Sequence, residues 1–382
     1  MTSREPIMLI GVGELGGIVL EMLARTPNIP PIVVADSNAD WGFRKVNSAI
    51  EGASYAGLYP DIRFEPVDLL DTARTAELVS RTRPAVLFNG ATLQSWWVVN
   101  ELPAQVNSKL YREKCGLGPW ISMHLALASK LMHAVHASGY NPLVVNSAYP
   151  DVTNASLGRI GMAPTIGIGN SDLIIPYVRK ATAERLGVPL RSVGVELVAH
   201  HYHAYYWCRA GTGFDAPHHL RVFVDGNDVT TDLGDLETFV RSLPEHGMRP
   251  AGRHGQYVVA ASSVKNILGL YFDTQELTNA PGPAGLEGGY PVRLCRDGVR
   301  VVPPKGMTVE DARALNVAAQ VYDGVQEIRP DGSVVMTPEA FATFQELFGI
   351  DTDVIHVDTA FEQAMDLRQR FHEFARGHGV TI

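Results

Sequence analysis

Cysteine is scarce. Cys115, Cys208 and Cys295 are the three in 382 residues, and they stand far apart with no CxxC pair. That excludes a dense disulfide scaffold and a cysteine-based zinc site, and it points to a reduced compartment. Positive charge is also short. The chain holds 32 Lys and Arg against 41 Asp and Glu, a net charge of −9, and no basic block interrupts that balance. A nucleic-acid groove is therefore not expected. No apolar run approaches the roughly 20 residues of a membrane-spanning helix. The start, Met1 to Pro6, leads only into Ile7-Met-Leu-Ile10, too short for the apolar core of a signal peptide. The expected location is the cytoplasm, with neither membrane nor nucleic acid as partner. No internal repeat or low-complexity tract is visible.

What remains is an ordinary globular composition, 46% hydrophobic and 19% charged, with ample material for a core. The length suits two domains and an appendage. The first, 1–150, alternates short apolar strands with helices: Ile7–Ile10, Ile32–Ala35, Ile62–Phe64, Ala85–Asn89 and Leu143–Asn146 as strands, with helices over Glu14–Arg25, Thr72–Arg81 and Trp120–Ala137. That order predicts a parallel sheet covered on both faces. The polar stretch Gln94–Pro119 between them is long enough to be a functional lid. The second domain, 151–328, reads as α+β. It has a short strand over Pro164–Gly169, a helix over Ser171–Leu186, a strand at Ser192–Ala199, hairpins at Asp225-Gly226 and Asp297-Gly298, and helices over Gln256–Tyr271 and Val309–Ile328. The last part, 329–382, turns at Asp331-Gly332 and then predicts two helices, Pro338–Phe348 and Thr359–Ala375. These are expected to cover the second domain or a subunit interface.

Gly11-Val-Gly13-Glu14-Leu15-Gly16 follows the first strand directly and opens the first helix. In a dinucleotide-binding turn the first glycine allows the tight bend, the second lets the backbone approach a pyrophosphate, and the third allows close helix–strand packing. The helix N-terminus offers free N–H groups and partial positive charge to the phosphates. Asp36 closes the second strand about 20 residues later, where a carboxylate bonds the ribose hydroxyls and repels a 2′-phosphate. The cofactor expected is NAD, in a Rossmann domain.

His200, His201 and His203 lie just past an apolar strand, Val193–Val198, followed by Tyr205, Tyr206 and Trp207. Strand ends carry active sites in this class of fold. Asp172 begins the preceding helix, and a helix followed by a strand can bring it to His201. Such a pair supplies the proton acceptor that alcohol oxidation requires. A second reading makes His201, His203 and Asp172 a divalent-metal site, since residues two apart on a strand share a face. A third leaves Asp172 as a helix-dipole residue and the histidines as packing.

In order and spacing, from Ile7 to Ile328, the chain resembles the lactate and malate dehydrogenase superfamily, which includes the NAD- and manganese-dependent glycosidases. Asn89-Gly90-Ala91-Thr92 is similar to the turn after that family's fourth strand, Gln94–Pro119 to its mobile loop, and Asn146-Ser-Ala-Tyr-Pro-Asp151 loosely to its Asn-Pro-Val-Asp segment. Counting from Leu186-Gly-Val188, the resemblance implies that His201 is the acid/base and Asp172 its partner. It implies NAD contacts from Gly11, Gly13, Glu14, Leu15, Gly16, Asp36, Asn89, Gly90, Ala91 and Asn146. It also implies a substrate pocket drawing on Arg112, Trp96, Trp97, His200, His203 and Tyr206, no metal ligand, and a homo-oligomer. The family's carboxylate-binding Arg has no counterpart, because Leu173-Ile-Ile-Pro-Tyr177 fills that stretch. The expectation is an NAD-dependent oxidoreductase of a small secondary alcohol or ketone, with an aromatic pocket in place of a carboxylate clamp. Alternatives are a hydrolase or lyase that oxidises transiently, with or without a metal, and a non-catalytic nucleotide-binding protein.

Overall fold

The computed structural model describes residues 5–110, 115–250 and 252–381. Its first half strings β1 (Ile7–Ile10), α1 (Glu14–Ala24), β2 (Ile32–Asp36), α2 (Ala39–Ser54), β3 (Ile62–Pro66), α3 (Thr72–Thr82) and β4 (Val86–Asn89). These are followed by α4 (Ala104–Leu110), α5 (Ile121–Ala137), β5 (Leu143–Asn146), α6 (Pro150–Arg159) and β6 (Ile166–Gly167). The six strands form one parallel sheet in the order β3-β2-β1-β4-β5-β6. The strand order reverses between β1 and β4, and ligands of doubly wound sheets bind beyond the strand ends at that point.

Alternation along β1 shows how both faces are filled. Met8 and Ile10 enter one apolar cluster, Ile7 and Leu9 the other, and all four are buried. A parallel strand flanked by helices on both sides requires this.

The second half contains α7 (Ile175–Leu186), β7 (Val193–Val198), α8 (His201–Tyr205), β8 (His219–Val224), β9 (Asn227–Asp228), α9 (Leu236–Gly247), α10 (Gln256–Tyr271), β10 (Leu277–Pro281), β11 (Gly289–Cys295), β12 (Gly298–Val301) and α11 (Val309–Gln320). Antiparallel sheets β7-β8-β9 and β10-β11-β12 carry the two expected hairpins. α10 returns to the first half and packs against α1.

The helix expected over Val309–Ile328 stops at Gln320. A short 3-10 turn, Val321–Asp323, and left-handed Gly324 lead instead into β13 (Val325–Ile328). β13 pairs with β14 (Val334–Met336), and β14 pairs with β15 (Val354–Ile355). The boundary drawn at 328/329 therefore falls inside a hairpin. The tail helices α12 (Pro338–Phe348) and α13 (Ala360–Gly377) form where the sequence places them, and α13 packs along α5. Trp120, at the foot of α5, packs edge-on to Phe344, Phe348 and Phe371 with centroids 5.0, 5.7 and 5.1 Å apart. One buried cluster runs from Met8 through α5 to Phe371. The tail completes the core of the parallel-sheet half, because α5 presents an apolar outer face that the sheet alone leaves bare.

Candidate active site

A cavity of about 440 Å³ runs along the C-terminal ends of the parallel strands. At one end lie Asp36, Ser37, Asp68 and Leu69. Gly11, Gly13, Glu14, Leu15, Gly90 and Ala91 line its middle, and His201, Tyr149, Asp323 and Tyr206 lie further along.

The glycine loop has the shape its sequence implies. Gly11 has φ +83°, and a Cβ there would stand 2.7 Å from the Ala91 nitrogen. A Cβ on Gly16 would stand 1.9 Å from the Gly11 carbonyl oxygen, so Gly16 is a packing residue and does not line the cavity. A Cβ on Gly13 would meet nothing within 4 Å, as a backbone that must admit a phosphate should. No side chain caps α1, which leaves its first N–H groups available to an anion. Asp36 accepts the Val12 and Asn38 N–H groups, each at 2.8 Å, fixing its carboxylate at the cavity edge. These residues fit NAD.

Asn89 and Asn146 depart from their expected role. Asn89 Nδ2 donates to Asn146 Oδ1 at 2.9 Å, and Asn146 Nδ2 donates to Asn154 at 2.8 Å. Both are buried and off the cavity wall. They tie the ends of β4 and β5 together and so set the Gly90-Ala91 turn.

His201 is on the wall, but its partner is not Asp172. His201 Nδ1 donates to Asp323 Oδ2 at 2.7 Å. Asp172 faces away: it accepts from Lys265 Nζ at 2.7 Å and from Ser262 at 2.6 Å, anchoring the start of the α7 region to α10. Asp323 is buried and triply held, by His201, by the Tyr149 hydroxyl at 2.5 Å, and by the Leu117 N–H at 3.2 Å. Burial disfavours the charged form of His201, but the Asp323 charge and hydrogen bond outweigh it and raise the imidazole pKa above 6.5. Burial likewise opposes the Asp323 carboxylate, and His201 outweighs that, holding it below its ordinary range. Burial and Asp323 keep the Tyr149 phenol protonated, so it serves as a donor.

The other histidines separate. The chain leaves β7 and turns helical at His201, so residues two apart no longer share a face. His203 enters the core, where Nε2 donates to the Ala216 carbonyl at 3.3 Å and burial lowers its pKa to about 3. His200 is fully buried, 3.9 Å from Asp323. Neither lines the cavity, and nor does Trp97, whereas Trp96 and Tyr206 do. The His201–His203–Asp172 metal reading fails on the same geometry. Among the described residues no group of three or more His, Cys, Asp or Glu is arranged to hold a metal, and no helix is long and apolar enough to cross a membrane. Arg112 lies outside the described residues.

Asp323, Tyr149, His124 and Arg249 are cavity residues that sequence reasoning missed. His124, on α5, is buried with Nδ1 unpartnered, and burial, with the His201 charge, lowers its pKa to about 4. It presents a neutral imidazole. A signal for Asp323 did exist, since Gly324 interrupts the helical pattern immediately after an acidic residue.

No family model matches the sequence, and no curated protein matches it. Solved structures do match the fold. A lactate dehydrogenase, MGS-M5, from a Medee basin deep-sea metagenome library aligns with TM-score 0.58 at 12% identity, covering 84% of this chain and 97% of its own. The Eimeria maxima lactate dehydrogenase, solved with NADH and oxamate, gives 0.57 at 13%, covering 84% and 94%. The fold is that of the lactate and malate dehydrogenases. The malate dehydrogenase of Plasmodium falciparum shares this dehydrogenase fold over 95% of the present chain and 99% of its own, with TM-score 0.56 and 13% identity. In this chain the imidazole partner, Asp323, comes from the root of the C-terminal tail.

Proposed function

We propose that the protein is an NAD-dependent oxidoreductase in which His201, held by Asp323, exchanges a proton with the hydroxyl of a secondary alcohol or its ketone. The observation that carries this reading is the 2.7 Å His201–Asp323 contact in the cavity that also holds the glycine loop and Asp36. The likeness to dehydrogenases solved with NADH supports the cofactor. When bound, NAD supplies the acceptor or donor of a hydride.

The chain's own residues do the rest. Asp36 receives the adenine ribose, and the α1 N-terminus faces the pyrophosphate. Asp323 fixes the tautomer of His201, leaving Nε2, which no hydrogen bond among the described residues engages, for the substrate hydroxyl. In oxidation Nε2 takes the hydroxyl proton and the imidazolium is stabilised by Asp323; in reduction the same proton returns to the oxygen. Neutral His124 and protonated Tyr149 border the site without competing for that proton.

The test is a calorimetric titration of the full chain and of His201→Asn with NAD, joined to an NADH-oxidation screen against ketones. Nucleotide affinity should be equal in the two proteins, with turnover in the variant lower by about 10²–10⁴-fold. A chain that binds no nicotinamide nucleotide, or a variant that turns over normally, would refute the proposal.

A further inference from the structure

Two arginines line the same cavity as His201, and among the described residues neither has an acidic partner. Arg209 and Arg249 form no ion pair among the described residues. Among the described residues, the ionisable groups that act on Arg249 are Tyr177, Cys208 and Arg209: two neutral groups and a like charge. Its guanidinium stacks over the Tyr177 ring at 5.5 Å, and its Nε is buried with no hydrogen-bond partner among the described residues. Burial first, and then Arg209, disfavour its charge. By contrast, Arg253, further along the same segment, is already matched. It pairs with Glu14 at the glycine loop and lies over Trp97. A half-buried pair of like charges without a counter-ion is costly unless a ligand provides one.

The placement of Arg209 connects this pair to the reacting end. His201, Tyr205 and Arg209 are spaced by four along one helical run, α8 continuing as a π-helical turn over Tyr206–Ala210. Four residues slightly overshoot an α-turn of about 3.6 residues and undershoot the wider π-turn. The two offsets cancel, so Arg209 returns to the side that carries His201, and all three residues line the cavity. The glycine loop, where a pyrophosphate would sit, already has its arginine in Arg253 by way of Glu14.

The geometry points to Arg209 and Arg249 as the anion-binding end of the substrate site, so that the molecule reacting at His201 is an acid bearing a carboxylate or a phosphate. This rests on the oxidoreductase reading, and it replaces the purely aromatic pocket expected from sequence. The clamp absent beside Asp172 is supplied from the π-helical turn and from the segment before α10. Arginine suits the task because its planar fork matches an oxyanion with two parallel hydrogen bonds.

The experiment titrates the full chain by calorimetry with succinate, with inorganic phosphate and with neutral succinamide, each without nucleotide and with saturating NADH. At least one anion should bind and succinamide should not. The tighter of the two anions identifies carboxylate or phosphate as the preferred group. Arg209→Gln and Arg249→Gln should each weaken that anion by about tenfold or more, and Arg249→Lys by less, all at unchanged melting temperature and NADH affinity. Absence of anion binding, or variants that bind as the parent does, overturns the inference. So does a parallel loss of NADH affinity, which would assign the arginines to the cofactor. If NADH fails to bind the parent while an anion still binds through these arginines, the oxidoreductase reading falls and the anion site stands.

Discussion

Replacing Asp323 by Asn separates the site seen in the structure from the one expected from sequence. The carboxylate accepts from His201 Nδ1 at 2.7 Å, from the Tyr149 hydroxyl at 2.5 Å and from the Leu117 N–H at 3.2 Å. Asn keeps the shape but loses the charge, and its amide N–H₂ must face one of these donors. Loss of a charge-assisted hydrogen bond costs about 1.5–3 kcal/mol, which corresponds to a fall of about 1–2 pH units in the His201 pKa. The shift is downward because Asp323 raises that pKa above 6.5 against the opposing effect of burial. Ring-nitrogen NMR reads it directly, without a substrate. In turnover, alcohol oxidation needs neutral His201, so the parent rate should rise with pH through a value above 6.5, and Asp323→Asn should move that limb lower. Asp172→Asn should leave the limb in place, because its carboxylate serves Lys265 and Ser262. If Asp172→Asn moves the His201 titration and Asp323→Asn does not, the assignment made from the structure is wrong.

Three further outcomes follow from the same geometry. Asp36→Ala should weaken NAD by about 1–3 kcal/mol and narrow its preference over NADP, as calorimetry with both nucleotides can show; equal affinities in the parent would count against the ribose role. Gly16→Ala should destabilise the fold, its Cβ lying 1.9 Å from the Gly11 carbonyl oxygen, whereas Gly13→Ala, opening into free space, should leave the melting temperature unchanged and weaken NAD. Phe371→Ala should cost about 3–5 kcal/mol of stability in thermal or urea melts, because Phe371 is buried against Trp120 in the nucleotide-domain core; a near-neutral effect would show that the tail is a detachable appendage.

The parallel-sheet half was legible because its signals are local. Strands β1, β2, β4 and β5 are short apolar runs, and the glycines of the loop have individual tasks within six residues. The resemblance, counted from Leu186-Gly-Val188, singled out His201, which lies on the cavity wall. Its partner was not legible, since pattern reasoning searches nearby and Asp323 lies 122 residues further on. Reading Val309–Ile328 as one helix hid it further, by placing Asp323 mid-helix and not at the turn that Gly324 creates. His200 and His203 were misplaced for a related reason. Extending β7 through them assigned a two-residue period to a segment that folds with a helical one. The tail's helices followed from their apolar spacing, but nothing in that spacing names the face they cover. Arg249 carries no sequence signal, because only folding reveals that no carboxylate among the described residues meets it.

A crystal structure with NADH tests the central claim most directly. The account predicts ribose hydroxyls on Asp36, the pyrophosphate on the Gly13 backbone and the α1 N-terminus, and the nicotinamide ring beside His201 Nε2. A nucleotide bound elsewhere, or a nicotinamide directed away from His201, would contradict it.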